Sequence, residues 1–533
     1  MRRRFATDRL FLGETSLAAP GGVGAIMRSG SVVPVTADVA ARRRDLCLLY
    51  GRAGTSMVIL SLLWSTMEAL VAIAAVTALV WGAVLAVRGG LVAGSLVVLV
   101  AAAVFGYPFF HLQAGPVPLT ADRVLWVLVL VQYVLWRRLG LADPKPLGGA
   151  EVAMGLFVGV LAASTFSHDW RIDGGQPAAW LGLFYVMPAG VYWVVRQAQL
   201  SERAVMGTFA LLASLALYLA VTAVAEVRQL WWLVHPAYVR SAEYAEFFGR
   251  GRGPLLNPIG CGFFQGVGLC AGLMWWPRCR RAGKLGLAAF GLLICVGTFA
   301  TLTRSVWMGT GLALVLLGAL TIPRAWRLPV LAIVCVAAAL TVATQWEHIM
   351  AFRRDRGLSA RETASSVTLR PILARVAWNM FRDRPLFGCG FGQYRRASID
   401  YLADRSTPLP LGKAKPFRQH NVFLSLVTET GVIGCGLFVA ALLFWARDAW
   451  RLWQNRDAPS WARQYGLFFL GVLAVYLPNA MFHEVSIIPA FNLLFFLTAG
   501  MTSGLWMSVR PALRRAGSAE AGSLMRRTRH ATA

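Results

Sequence analysis

The chain has 533 residues, 57% of them hydrophobic and only 14% charged, with a formal net charge of +27. A soluble domain carries about a quarter charged residues, so composition excludes a soluble globular enzyme, and no basic-aromatic module of a nucleic-acid binder accompanies the basic excess. The Arg-rich charge falls between long apolar blocks, the topogenic pattern of a polytopic membrane protein.

In chain order, residues 1–55 are basic and rich in Gly, Ala and Ser, without the apolar stretch and cleavage site of a signal peptide, and read as a disordered cytoplasmic tail. Apolar blocks follow near 57–87, 91–110, 123–136, 150–167, 178–195, 204–224, 255–276, 285–303, 305–322, 328–345, 421–446, 465–482 and 487–508. Blocks of about 20 residues match a hydrocarbon core of about 30 Å, where every backbone polar group must find an internal partner, so each block predicts a helix. The alternating segments of a membrane barrel are not seen in the sequence. The fold class expected is therefore all-α: a polytopic transmembrane bundle of about 12–14 helices with one large, partly helical periplasmic loop. The 57–87 block carries Glu68 and is long for one span, so one crossing and two both stay open.

Basic connectors occur at Arg137, Arg138 and Lys145, from Arg196 to Arg203, from Arg278 to Lys284, at Arg324 and Arg327, and from Arg447 to Arg463. They lie on alternate connections and can all be cytoplasmic at once. The other connections then face outward, including 225–254, the tight 303–305 turn and 346–420. The last of these holds fourteen Lys or Arg against six Asp or Glu. Long loops escape the positive-inside trend and are usually functional or disordered; its Gly and aromatic motifs favour an ordered loop of short helices. The expected organisation is a tail at 1–55, a first bundle part at 56–345, the loop at 346–420, a last bundle part at 421–509 and a cytoplasmic tail at 510–533. None of the eight Cys forms a CxxC or Cys/His metal spacing, so neither a metal site nor a disulfide framework is expected.

The strongest local signal is His420-Asn421 followed by a run to Gly431-Val432-Ile433-Gly434. On a continuous helix Gly431 and Gly434 fall near the azimuth of His420, giving a small face that packs closely against another helix. Glu429 falls opposite, inside the membrane, where a carboxylate is paired or neutral.

Here the sequence resembles the O-antigen ligase and O-antigen polymerase family. Its ligases carry a His-Asn pair, nine residues, then Gly-x-x-Gly, which His420 to Gly434 matches. Arg370 and the segment Pro385-Leu386-Phe387-Gly388-Cys389-Gly390-Phe391-Gly392 resemble the family's R…PLxGxGxG stretch, although the usual Trp four residues after the Arg is Ala374 here. Arg252-Gly253-Pro254-Leu255-Leu256-Asn257-Pro258 resembles its outer-loop motif, and Thr301-Leu302-Thr303-Arg304-Ser305 its T-x-S-R turn, with Thr303 in place of Ser. The resemblance covers roughly residues 100 to 505. It implies a bacterial inner-membrane glycosyltransferase that needs no cofactor or metal. Its donor would be a polyprenyl-diphosphate-linked glycan and its acceptor a glycan, lipid or protein hydroxyl. It implies His420 as catalytic base, Arg252, Arg304 and Arg370 on the diphosphate, and Asn421, Glu429, Gly431 and Gly434 in support.

Plainer readings stand beside these. Arg304 has the look of a helix-end Arg that snorkels, Arg252 has basic neighbours in Arg240 and Arg250, and Arg370 has Arg375, Arg382 and Arg384. The Gly-rich 387–392 stretch reads as structural, and His483-Glu484 as interfacial packing. Within the enzyme reading, ligase and polymerase differ only in acceptor. A transporter would show repeated halves or broken midplane helices, neither apparent in the sequence, and a non-catalytic scaffold would tolerate loss of His420 and Arg304 together.

Overall fold

The computed structural model describes residues 90–112, 117–171, 176–244, 246–323, 325–329, 360–404, 406–415 and 417–531, with isolated positions between 332 and 344. The 1–55 segment, the 57–87 block, most of the 328–345 block and the start of the long loop lie outside the described residues. All described residues belong to one compact unit, Leu79–Ala533.

The architecture is all-α, with a single two-residue antiparallel strand pair among the described residues. Helix α1 spans Gly90–Val104, α2 Ala121–Arg138 and α3 Gly149–Phe166. Helix α4 covers Pro177–Arg196 and contains one wider π turn at Gly182–Val186. Helix α5 is Glu202–Val227, α6 Pro258–Leu273, α7 Arg281–Ala300 and α8 Arg304–Thr321. In the long loop α9 runs Ala360–Asp383. Helices α10 (Val422–Gln454), α11 (Ser460–Phe482) and α12 (Pro489–Ala531) complete the chain. The apolar blocks and the helices coincide because a block long enough for the hydrocarbon core can close its backbone hydrogen bonds only upon itself. Among the described residues nine helices are long and apolar enough to cross a membrane: this is a multi-pass membrane protein. The final helix continues to Ala531, through the segment expected as a tail.

Burial sorts the helices. The spanning window of α12 is 100% buried and those of α6 and α11 are each 83% buried, whereas that of α7 is 17% buried. The first three form the centre; α7 presents most of its surface outward. Small residues bring the central helices together: a Cβ at Gly268 would stand 2.5 Å from the Leu212 carbonyl oxygen of α5, the close approach that drives helix association in lipid.

The end of the bundle bearing the basic connectors holds a buried polar network. Arg196 Nε meets Glu151 at 2.7 Å, Tyr192 Oη donates to the same carboxylate at 2.5 Å, and Lys145 Nζ donates to the Arg196 and Ala198 carbonyls. Lys145 and Arg196 therefore tie α3, α4 and the following turn together, beyond any part in orientation.

Candidate active site

Helix α10 does not start at His420. Asn421 is its N-cap, its Oδ1 accepting from the Leu424 N–H at 2.9 Å, the usual way an orphan helix donor is satisfied. His420 stands before the cap in left-handed backbone (φ 51°) and keeps part of its surface open to solvent. The azimuthal relation expected between His420 and the two glycines thus fails, since His420 lies off the helix. It fails again at Gly431, whose φ of 65° and ψ of −167° interrupt α10.

The interruption is closed by the Gly-rich segment 385–392. In a continuous helix the Val432 and Ile433 N–H groups would bond the Thr428 and Glu429 carbonyls. Here those carbonyls accept from the Cys389 and Gly390 N–H groups at 2.9 and 3.0 Å. Val432 and Ile433 donate instead to the Pro385 and Leu386 carbonyls at 2.9 and 3.4 Å. Two helix bonds have been exchanged for four bonds to a strap, leaving no orphan at a depth where orphans are costly. The exchange requires contact of backbone on backbone. A Cβ on Gly431 would stand 2.1 Å from the Leu386 oxygen, and one on Gly388 would stand 2.5 Å from the Glu429 carbonyl carbon. Gly431 therefore faces the strap rather than a neighbouring helix, and Gly434 lies against Thr430 of its own helix. The buried Glu429 side chain accepts from the Gly392 N–H at 3.0 Å.

Helix α9 carries Arg370. Its inner face (Ile372, Leu373, Val376 and Met380) packs with Cys389, Tyr394, Leu411 and Ala414 into a small core of the loop's own. Arg370 stays exposed, with its guanidinium 5.1 Å from the centre of the Phe482 ring at the end of α11. Asn421 Nδ2 donates to the Met481 carbonyl at 2.8 Å, which brings the start of α10 to the same place. Arg304 is the first residue of α8. The turn before it is fixed by Arg250, whose Nη2 donates to Thr303 Oγ1 at 2.6 Å, and by the Gly251 N–H on the Ala300 carbonyl at 2.8 Å.

Arg370 carries the charge that its neighbours feel or oppose. Burial, and then the Arg304 charge, hold Arg370 below the usual guanidinium range. The recess around His420 removes part of its solvation and Arg370 adds a like charge, so both lower the imidazole. The starts of α8 and α10 and Arg370 of α9 all reach the last turn of α11: Ser305 Oγ donates to Asn479 Oδ1 at 2.9 Å, Asn421 reaches Met481 and Arg370 lies over Phe482. Arg252 is not brought there. Its fully buried guanidinium pairs with Glu226 (Nε–Oε1 3.1 Å) and donates to the Val239 and Glu246 carbonyls, each at 2.7 Å, and to the Tyr244 carbonyl. Glu226 also accepts from the Arg252 and Gly253 N–H groups at 2.8 and 2.6 Å. Arg252 folds the 239–253 loop onto the end of α5.

Two residues were passed over by motif reasoning. Arg418, two positions before His420, lies 4.4 Å over the Trp180 ring and reaches Glu484 at 3.5 Å. Glu484, read from sequence as interfacial packing, is buried; Ser425 Oγ donates to it at 3.0 Å, and burial pushes its carboxyl up although Arg418 opposes the shift. The signal available was an acid at a block end opposite a basic residue beside the His motif, which no local pattern couples.

Residues 287–439 match the family model described as O-Antigen ligase. The matched span contains Arg304, Arg370, the strap, His420 and the interrupted helix, and leaves Arg252 outside. No curated protein matches the chain. The match supports the O-antigen ligase family and, at that level, a ligase- or polymerase-type membrane function.

Proposed function

We propose that this multi-pass membrane protein with an O-antigen ligase segment transfers a glycan from a polyprenyl-diphosphate carrier to an acceptor hydroxyl, without metal, at the periplasmic face of a bacterial inner membrane. The observation that carries this reading is that the neighbours of Arg304 and His420, Ser305 and Asn421, and Arg370 itself all contact the last turn of α11, at Asn479, Met481 and Phe482. Cations crowded together repel unless an anion joins them, and a diphosphate is an anion that guanidinium groups grip in bidentate fashion. In the reaction the acceptor oxygen bonds to the anomeric carbon, and the bond from that carbon to the diphosphate oxygen breaks. Negative charge gathers on the departing diphosphate, where Arg304 and Arg370 stabilise it. His420, kept neutral by its surroundings, takes the hydroxyl proton and passes it on to solvent or to the departing diphosphate. Arg252, with its donors spent on the loop, has no part in gripping the donor. A polymerase of the same chemistry differs in using a second lipid-linked glycan as acceptor.

The test is reconstitution with a lipid-linked glycan and candidate acceptors in the presence of chelator. Released lipid diphosphate and glycosylated acceptor are expected from the wild type, with a loss of about a hundredfold or more in His420→Ala and in Arg304→Ala. Translocation of intact donor with no bond transfer, or undiminished product from both variants, would reject the proposal.

A further inference from the structure

One residue of the strap that mends α10, Cys389, also lines a cleft of about 360 Å³, the rest of which comes from the turn after α3 and from residues 384–401. That volume falls within the range of about 300–1,000 Å³ usual for small-ligand sites. Its charged lining is balanced: Arg384 and Arg396 against Asp169 and Asp400. Gln393 and Tyr401 add an amide and a phenol. Two features arrange these groups. Arg396 pairs with Asp169, and Gln393 Nε2 donates to the Asp169 carbonyl at 2.6 Å, so the loop is latched to the α3 turn. Arg384 and Asp400 are not so engaged: among the described residues neither charged end forms an ion pair. Burial, a hydrogen bond to Asp383 and the charge of that carboxylate push Tyr401 up to about 12.

This chemistry contrasts with that around Arg370. A diphosphate calls for an excess of cations, as where Arg304 and Arg370 stand near each other. A cleft with as many carboxylates as guanidinium groups has no net attraction for an anion, yet offers charged acceptors beside charged donors. Vicinal hydroxyl groups, each both donor and acceptor, fit that alternation, and hydrogen bonds to charged partners are the strong ones. Cys389 joins the cleft to α10, since its N–H bonds the Thr428 carbonyl at 2.9 Å.

We infer that the cleft between the α3 turn and the 384–401 loop is a saccharide subsite that holds neutral sugar rings through Arg384 and Asp400. The inference rests on the glycan-transfer reading and adds where the sugar is held. The sugar belongs either to the donor glycan or to a glycan acceptor.

The experiment uses the full-length protein in nanodiscs and has two arms. In the first, steady-state transfer is measured while donor and acceptor are varied separately. Asp400→Asn and Arg384→Ala are expected to raise KM for one of them by about tenfold or more, with kcat little changed, as loss of a charged hydrogen bond implies. A shift for the donor assigns the subsite to the donor glycan, and a shift for the acceptor assigns it to the acceptor. In the second arm, glycan released by mild acid from the expressing cell's polyprenyl-diphosphate pool is titrated into the His420→Ala protein and followed by saturation-transfer NMR. Binding is expected, and is expected to weaken by the same factor in the two cleft variants. Transfer and binding both unaffected in Arg384→Ala and Asp400→Asn would overturn the subsite while leaving glycan transfer intact. Cleft-dependent binding by a wild-type protein that transfers nothing would uphold the subsite and overturn the transfer reaction. Asp400 is exposed, so its isosteric Asn variant is expected to fold as the wild type does.

Discussion

Gly431→Ala tests the joint between the strap and α10. At φ 65° and ψ −167° the residue occupies backbone that is essentially restricted to glycine, and forcing a side chain to adopt it costs about 1–3 kcal/mol. The added Cβ would also stand 2.1 Å from the Leu386 oxygen and 2.2 Å from its carbonyl carbon. Both atoms are backbone, so relief requires the strap to move by about 0.9 Å to reach the 3.0 Å limit of real Cβ contacts. That displacement stretches the bonds Val432 N–H to Pro385 and Ile433 N–H to Leu386, at about 1 kcal/mol each. The sum is about 3–5 kcal/mol against the closed joint. The control is Gly436→Ala in the same helix, where a Cβ meets nothing within 4 Å; replacing a mid-helix glycine there stabilises by up to about 1 kcal/mol. Cys389 reports opening, because it lies in the strap and is only 5% exposed. Thiol labelling located by peptide mass spectrometry is expected to proceed about a hundred- to several thousandfold faster at Cys389 in Gly431→Ala and no faster in Gly436→Ala, since each factor of ten corresponds to about 1.4 kcal/mol. Equal labelling rates and equal melting of the two variants would refute the exchanged-bond joint.

Arg252→Ala is expected to lower thermal stability by about 3–5 kcal/mol by leaving the Glu226 carboxylate buried without its partner; a stable Arg252→Ala protein specifically impaired in donor binding would reverse the structural assignment. In pH–rate profiles His420, lowered by its recess and by Arg370, is expected to remain neutral and active below its ordinary value of 6.5, with activity falling only as the pH drops through the lowered value. Arg370→Ala removes one of the two causes, so the acid limb of whatever activity remains is expected to move upward; an unmoved or lower midpoint contradicts this. Glu429→Leu deprives the Gly392 N–H of its acceptor at a cost of about 1–3 kcal/mol, whereas Glu429→Gln keeps an oxygen in place, so melting is expected to fall further for Leu than for Gln.

The sequence alone determined the all-α membrane bundle, the approximate bounds of its helices and the segment that matters most, His420 to Gly434. A helix needs only partners within four residues, so an apolar block of membrane length decides its own structure. The break at Gly431 was not local in this sense. Nothing in Gly-Val-Ile-Gly distinguishes a glycine that packs against a helix from one in left-handed backbone, because the difference lies in the carbonyls of Pro385 and Leu386 and the N–H groups of Cys389 and Gly390. The arginines divided for a similar reason. Arg252, Arg304 and Arg370 look alike in an outward loop, yet Arg252 meets Glu226 and a ring of carbonyls while Arg370 meets Phe482 and the charge of Arg304. Which guanidinium is consumed by the fold depends on acceptors distant in the chain, and tertiary packing alone delivers those.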